Sequence, residues 1–145
     1  MTGNCSDVNA RDMWDNTPLI VAAKSYDRES MKLLIDEGAD VNAHNVEGWT
    51  AFMFAAKNED YDAIDLLIAN GADINAADNF GNTALIMAAL NGRYDLAKKL
   101  ITCGADMDTR NAYGESAIIL AHEEMHYDIE RLLVRNGAVP YEEDM

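Results

Sequence analysis

The chain repeats itself at an interval of 33 residues, and no other property of the sequence restricts its fold so tightly. Gly38-Ala39-Asp40, Gly71-Ala72-Asp73 and Gly104-Ala105-Asp106 stand at that spacing, with Gly137-Ala138-Val139 as a degenerate copy. The same interval joins Thr17-Pro18-Leu19 to Thr50-Ala51-Phe52, Thr83-Ala84-Leu85 and Ser116-Ala117-Ile118. It also joins Ala22-Ala23, Ala55-Ala56, Ala88-Ala89 and Ala121-His122. Positions that recur in register without a gap mark a linear array of like units. Each unit buries its apolar face only against its neighbours, so the expectation is a stacked solenoid, not a globule closed around a pocket.

These residues resemble the ankyrin repeat, whose pattern runs D-x-x-G-x-T-P-L-H-x-A-A, a short loop, a Leu-Leu helix, then G-A-D-V-N-A. The third copy carries Asp78, Gly81, Thr83, Leu85, Ala88-Ala89, Gly92 and Leu100 before its Gly-Ala-Asp. The first two copies close with Asp40-Val41-Asn42-Ala43 and Asp73-Ile74-Asn75-Ala76. The resemblance covers about residues 7 to 138. It implies an all-α solenoid of helix-turn-helix units with short β-hairpin-like fingers. It further implies one domain over 1–145, with repeats at about 7–39, 40–72, 73–105 and 106–138 and an acidic tail at 139–145. On function it is nearly silent, because the family is a scaffold with many partners.

Each unit reads as helix, loop, helix, finger. Thr17 suits an N-cap, and Pro18 suits the first helical turn, where its missing N–H would be unpaired anyway. Leu19, Ala22 and Ala23 share one face at helical spacing. Met31, Leu34 and Ile35 recur as Ile64, Leu67 and Ile68 in the second helix of the next unit. Gly38, Gly71, Gly104 and Gly137 are placed to end those helices in a left-handed conformation. Gly48, Gly81 and Gly114 serve the finger turn, where the first copy has Asp15. The end copies depart as capping predicts: His122 and Glu130 replace small or apolar residues in the last, and in the first Arg28 stands where the others have Tyr61, Tyr94 and Tyr127 and Ser30 where they have Ala63, Leu96 and Ile129. The array therefore reads as complete. The family His of T-P-L-H is replaced by Ile20, Met53, Ile86 and Ile119, which makes the joint between repeats apolar.

The 145 residues carry a net charge of −15. Residues 40–72 hold six acids and one base, while 73–105 hold three of each. Such a field repels nucleic acid and acidic membranes and attracts basic proteins. A merely solvated acidic surface is the plainer alternative. No apolar run reaches the roughly 18 residues of a membrane span. The first residues lack signal-peptide character, so a cytoplasmic location is expected. Cys5 and Cys103 have no metal-ligand spacing and read as reduced thiols. Asn4-Cys5-Ser6 matches a glycosylation acceptor only formally.

His122-Glu123-Glu124-Met125-His126 matches the H-E-x-x-H of zinc hydrolases, in which two imidazoles share one helical face. The register opposes it. The first helix of the fourth repeat should run from about Ala117 to Glu124, with Met125 in a loop and His126 beginning the next helix. No nucleotide-binding glycine loop is present. Glu59, Asp60, Asp62 and Asp65 lack the spacing of a calcium loop and read as a solvated face. Neither a cofactor nor catalysis is expected. Asn42 and Asn75 are similar to asparagines that a hydroxylase modifies in ankyrin repeats, but the plainer reading, and the one preferred, is that asparagine here orders the start of the finger.

The resemblance implies that partners touch the finger tips and the exposed side of each first helix. Carried over by register, the tips are Met13, Trp14 and Asn16; Val46, Glu47 and Trp49; Asn79, Phe80 and Asn82; Ala112, Tyr113 and Glu115. Trp14, Phe80 and Tyr113 share one position with Glu47. Exposed aromatics dominate binding hot spots, although each ring could instead pack on the neighbouring finger. With Asp12, Asp78, Glu47 and Glu115 beside them, they suit a basic protein partner. The expected function is that of a monomeric, non-catalytic inhibitor or immunity-type antagonist. An adaptor joining two proteins is the competing reading, and a zinc hydrolase using His122 and His126 is the weakest.

Overall fold

The computed structural model describes residues 7–141. Cys5, the Asn4 sequon and the acidic end of the tail lie outside them. Eight helices occupy the described residues: α1 (Pro18–Lys24), α2 (Arg28–Asp36), α3 (Ala51–Lys57), α4 (Tyr61–Ala69), α5 (Ala84–Asn91), α6 (Tyr94–Thr102), α7 (Ala117–Glu123) and α8 (Tyr127–Arg135). They alternate short and long at the sequence interval, as the all-α solenoid of helix pairs requires. Among the described residues the only bridge of β type joins His44 and Thr50, so the fingers are tight turns with little sheet character. The chain divides into two compact units, Met1–Asp73 with α1–α4 and Ile74–Met145 with α5–α8.

In the first unit α1 packs on α2 and α3, and α4 on α2 and α3. Leu19, Ile20, Met31, Phe52, Met53, Ile64 and Leu67 form its core, each at most 1% exposed. Burying an aliphatic or aromatic side chain of this size contributes about 1.5–3 kcal/mol. Ala22, Ala23, Ala55 and Ala56 are buried where α1 meets α3, and their small side chains let the helices approach. In the second unit α5 packs on α6 and α7, and α8 on α6 and α7, around Leu85, Ile86, Leu100, Ile129 and Leu133.

The caps follow from the residues chosen. The Thr17, Thr50 and Thr83 hydroxyls accept the backbone N–H of Ile20, Met53 and Ile86. Asp27 and Asp60 cap α2 and α4 by accepting the N–H of Ser30 and Ala63, which the sequence analysis did not foresee. The loop between the two helices of each unit needs one left-handed residue. Tyr26, Glu59, Gly92 and Met125 fill it, with φ of 60°, 52°, 71° and 62°.

Two devices tie successive repeats together. Ile20 and Met53 are buried in the first unit, so the joint that lacks the family His is apolar there, as expected, and Ile86 is buried in the second unit. An asparagine series supplies the polar ties. Asp40 N–H donates to Asn9 Oδ1 at 2.8 Å and Asp73 N–H to Asn42 Oδ1 at 2.7 Å. In the second unit Asp106 N–H donates to Asn75 Oδ1 at 2.7 Å. Asn42 also donates its amide to Gly71 O at 3.0 Å, so both ends of that side chain are engaged.

Candidate interaction surface

Every finger is built around one acceptor side chain. Asp12 Oδ1 accepts the N–H of Trp14 at 2.9 Å and of Asn16 at 2.8 Å. Asn45 Oδ1 accepts from Glu47 and Trp49, Asp78 Oδ1 from Phe80 and Asn82, and Asn111 Oδ1 from Tyr113 and Glu115, all at 2.9–3.0 Å. A short polar side chain that binds N–H groups ahead of it closes the turn by itself. The turn then needs a left-handed residue, and Asp15, Gly48, Gly81 and Gly114 supply it at φ between 62° and 81°. Neighbouring fingers are joined through the backbone. Val46 N–H donates to Trp14 O at 3.0 Å in the first unit, and Ala112 N–H to Phe80 O at 2.9 Å in the second.

This geometry divides the expected contact residues into two kinds. Met13 is 80% exposed, Trp14 59%, Phe80 56% and Tyr113 70%. Glu47 is exposed and carries its charge outward. Asp12 and Asp78, by contrast, already serve as turn anchors. Partial desolvation, the largest single effect, pushes the Asp12 carboxyl up, but the backbone N–H groups of Asn16 and Trp14, the Asn16 amide and the Lys24 ammonium together outweigh it and hold the carboxyl below its usual range. Glu115 is half-buried and accepts the Asn111 amide at 3.1 Å. Asn16, expected at a tip, is buried instead and accepts the Asn45 amide at 3.0 Å. Asn82 accepts the Asn111 amide in the same way at 2.9 Å.

Trp49 is also half-buried. Its ring lies 4.8 Å from that of Phe54, tilted by 45°. Phe54 does not stand out in the sequence, because it lies between Met53 and Ala55, which are core residues. Its counterpart Val21 is 45% exposed, so this place in the helix faces outward in the first two repeats. Lys24 Nζ sits 5.4 Å over the Phe54 ring and Lys57 Nζ 5.8 Å over the Trp49 ring.

The H-E-x-x-H segment is divided as the register foretold. His122 lies in α7, Met125 is left-handed and His126 is the N-cap of α8, so the imidazoles are not on one helix. His122 Nδ1 meets the Glu130 carboxylate at 3.1 Å, and its ring stacks on Tyr141 at 3.9 Å. The two departures of the last repeat are therefore one pair. His126 Nε2 lies 3.2 Å from Leu90 O. Among the described residues no group of three or more His, Cys, Asp or Glu is arranged to hold a metal ion. The acidic group at Glu59–Asp65 is not uniformly solvated: the Asp60 side chain is 6% exposed, with Arg28 at 3.6 Å, while Arg28 also binds Asp62 at 2.5 Å. Cys103 is half-buried at the end of α6, as a free thiol.

Paired helices, repeating turns and displayed tip residues define a helical repeat protein. A family model described as ankyrin repeats (3 copies) matches residues 1–78 and again 52–144, and the chain belongs to the ankyrin-repeat family. Members of that family are generally protein–protein interaction modules and typically not enzymes. No curated protein matches the chain. No helix among the described residues is long and apolar enough to cross a membrane.

Proposed function

We propose that this protein is a monomeric cytoplasmic antagonist that binds a basic protein partner through its finger tips and first helices. The observation that carries the reading is the set of rings at one turn position. Trp14, Phe80 and Tyr113 are each more than half exposed, although nothing in the turn requires a ring there. The anchoring bonds reach those residues through their backbone N–H alone. Large exposed aromatics supply affinity, because they bury much area for little entropy. The net charge of −15, with Glu47 exposed at the same turn position in the second repeat, favours a basic surface on the partner and hastens encounter.

A partner captured on the immobilised protein and identified by mass spectrometry supplies the test. Trp14→Ala, Phe80→Ala and Tyr113→Ala should each weaken its binding by about 2 kcal/mol or more. The melting temperature should change little, because the rings lie outside the core. Unchanged affinity in all three, with binding abolished by Leu33→Glu on the exposed side of α2, would favour the adaptor reading instead.

A further inference from the structure

A cleft of about 520 Å³ opens beside α1 and α2 of the first repeat. Val21, Ala22 and Leu34 give it an apolar floor, and Asp12, Asp27 and Ser30 stand in its wall. The matching surface of the second repeat is covered. Ala63 and Leu67, which correspond to Ser30 and Leu34, are at most 1% exposed there. In the first repeat both positions are half-buried, and Val21 is 45% exposed. Arg11 also lines the cleft, but its guanidinium is turned into the finger, where Nη1 donates to Asp15 O at 3.1 Å and His44 O at 2.6 Å.

The two carboxylates are exposed and partly engaged. Asp27 Oδ1 accepts the Ser30 N–H at 3.1 Å. Asp12 gives Oδ1 to two turn N–H groups, and its Oδ2 accepts the Asn16 amide at 3.3 Å. An ionised carboxylate has about four lone-pair sites, so Asp27 in particular retains acceptor capacity. Both groups are held below their ordinary 3.8 and carry their charge at neutral pH.

An apolar floor beside two anions suits a long aliphatic stem with a cationic head. Lysine and arginine lay their methylenes along apolar surface and keep the charge at its edge. Arginine suits this wall better, because its planar fork of donors serves the separate acceptors of Asp12, Asp27 and Ser30. An anion is opposed by both carboxylates, and an uncharged apolar group would desolvate them without return. We infer that this cleft receives an arginine side chain of the basic protein partner, with its methylenes along Val21 and Leu34 and its guanidinium against Asp27 and Asp12. Asp12 both lines the cleft and anchors the finger that displays Trp14, so the cleft adjoins the proposed contact face. The inference rests on that reading of the face and names one side chain that the partner must bring.

The test uses the whole chain labelled with ¹⁵N, at low salt. The probes are a short peptide with capped ends and one arginine between two leucines, and its twins with lysine, norleucine or glutamate for arginine. The arginine peptide should shift the Ser30 and Asn16 amides saturably, and more tightly than any twin. Asp27→Asn keeps a capping acceptor and removes the charge; it should weaken that binding about fivefold to tenfold. Val21→Lys, at an exposed helix position, leaves both carboxylates in place and sets a cation in the cleft; it should weaken binding as well and serves if the first variant folds poorly. The inference is overturned if a twin binds as tightly as the arginine peptide, if no probe moves these amides, or if both variants bind like the parent. None of these results touches partner capture through Trp14, Phe80 and Tyr113. Loss of that dependence would instead undo the broader reading.

Discussion

At the scale of single residues, charge alone does not say what a carboxylate is for. Glu47 and Asp78 both stand in a finger, yet Glu47 projects outward while Asp78 holds two backbone N–H groups. Asp78→Ala should therefore cost about 1–3 kcal/mol of stability, since both donors lose a charged acceptor. Glu47→Lys should stay within about 0.5 kcal/mol of the parent. Urea denaturation of the two variants measures the contrast, and equal losses would deny the anchor role. From sequence Asp12 and Asp78 read as contact residues, because both are acidic and stand close to aromatics. Their spacing to the N–H groups two and four residues ahead already held the other answer. Trp14, Phe80 and Tyr113 were legible as exposed because no core pattern claims them. Phe54 was not, since an aromatic between buried Met53 and Ala55 reads as core until the direction of each helix is known.

At the scale of elements, the fingers and loops differ in how closely they are stacked. A Cβ on Gly81 would lie 2.9 Å from the Ala112 nitrogen, whereas one on Gly114 meets nothing within 4 Å, and both glycines have φ of +77°. Gly81→Ala should thus be the more harmful change. Both variants bear the left-handed penalty of about 1 kcal/mol. Gly81→Ala also strains the Ala112–Phe80 bond, adding about 0.5–1.5 kcal/mol. Thermal melts that ranked the two alike would count against this stacking. The first repeat has a pH dependence of its own. The Ser30 hydroxyl and N–H lower the Asp27 carboxyl from its ordinary 3.8, and Asp12 is lowered as well. Groups depressed in the folded state stabilise it fully above 3.8, and that contribution fades as pH falls through the lowered values. Hydrogen exchange should show α1 and α2 losing protection below that range, less so in Asp27→Asn. Protection unaltered by the substitution would exclude the cap as the cause. The period of 33 made these elements legible before any coordinates, because each repeat reports its neighbour's plan. The Asp27 and Asp60 caps were hidden, since the matching positions hold Arg93 and His126, which make no such cap.

At the scale of the whole molecule, the proposed function divides the work: the net charge of −15 would set how fast a basic partner arrives, and the rings how long it stays. Association should slow steeply between low and physiological salt, as exposed charges are screened over about 8–10 Å. Glu47→Lys should slow it further, with dissociation nearly unchanged. Stopped-flow rates at several salt concentrations test this, and a flat dependence would leave the charge a matter of solvation alone. The finger anchors have one more consequence. Because Asp12, Asn45, Asp78 and Asn111 close each turn through backbone groups, the residue two places on serves the turn through its backbone and its side chain takes no part in these bonds. Trp, Glu, Phe and Tyr all occupy it here. Mutation can sample that position with the frame left intact, so descendants of this chain can exchange one target for another without first relearning how to fold.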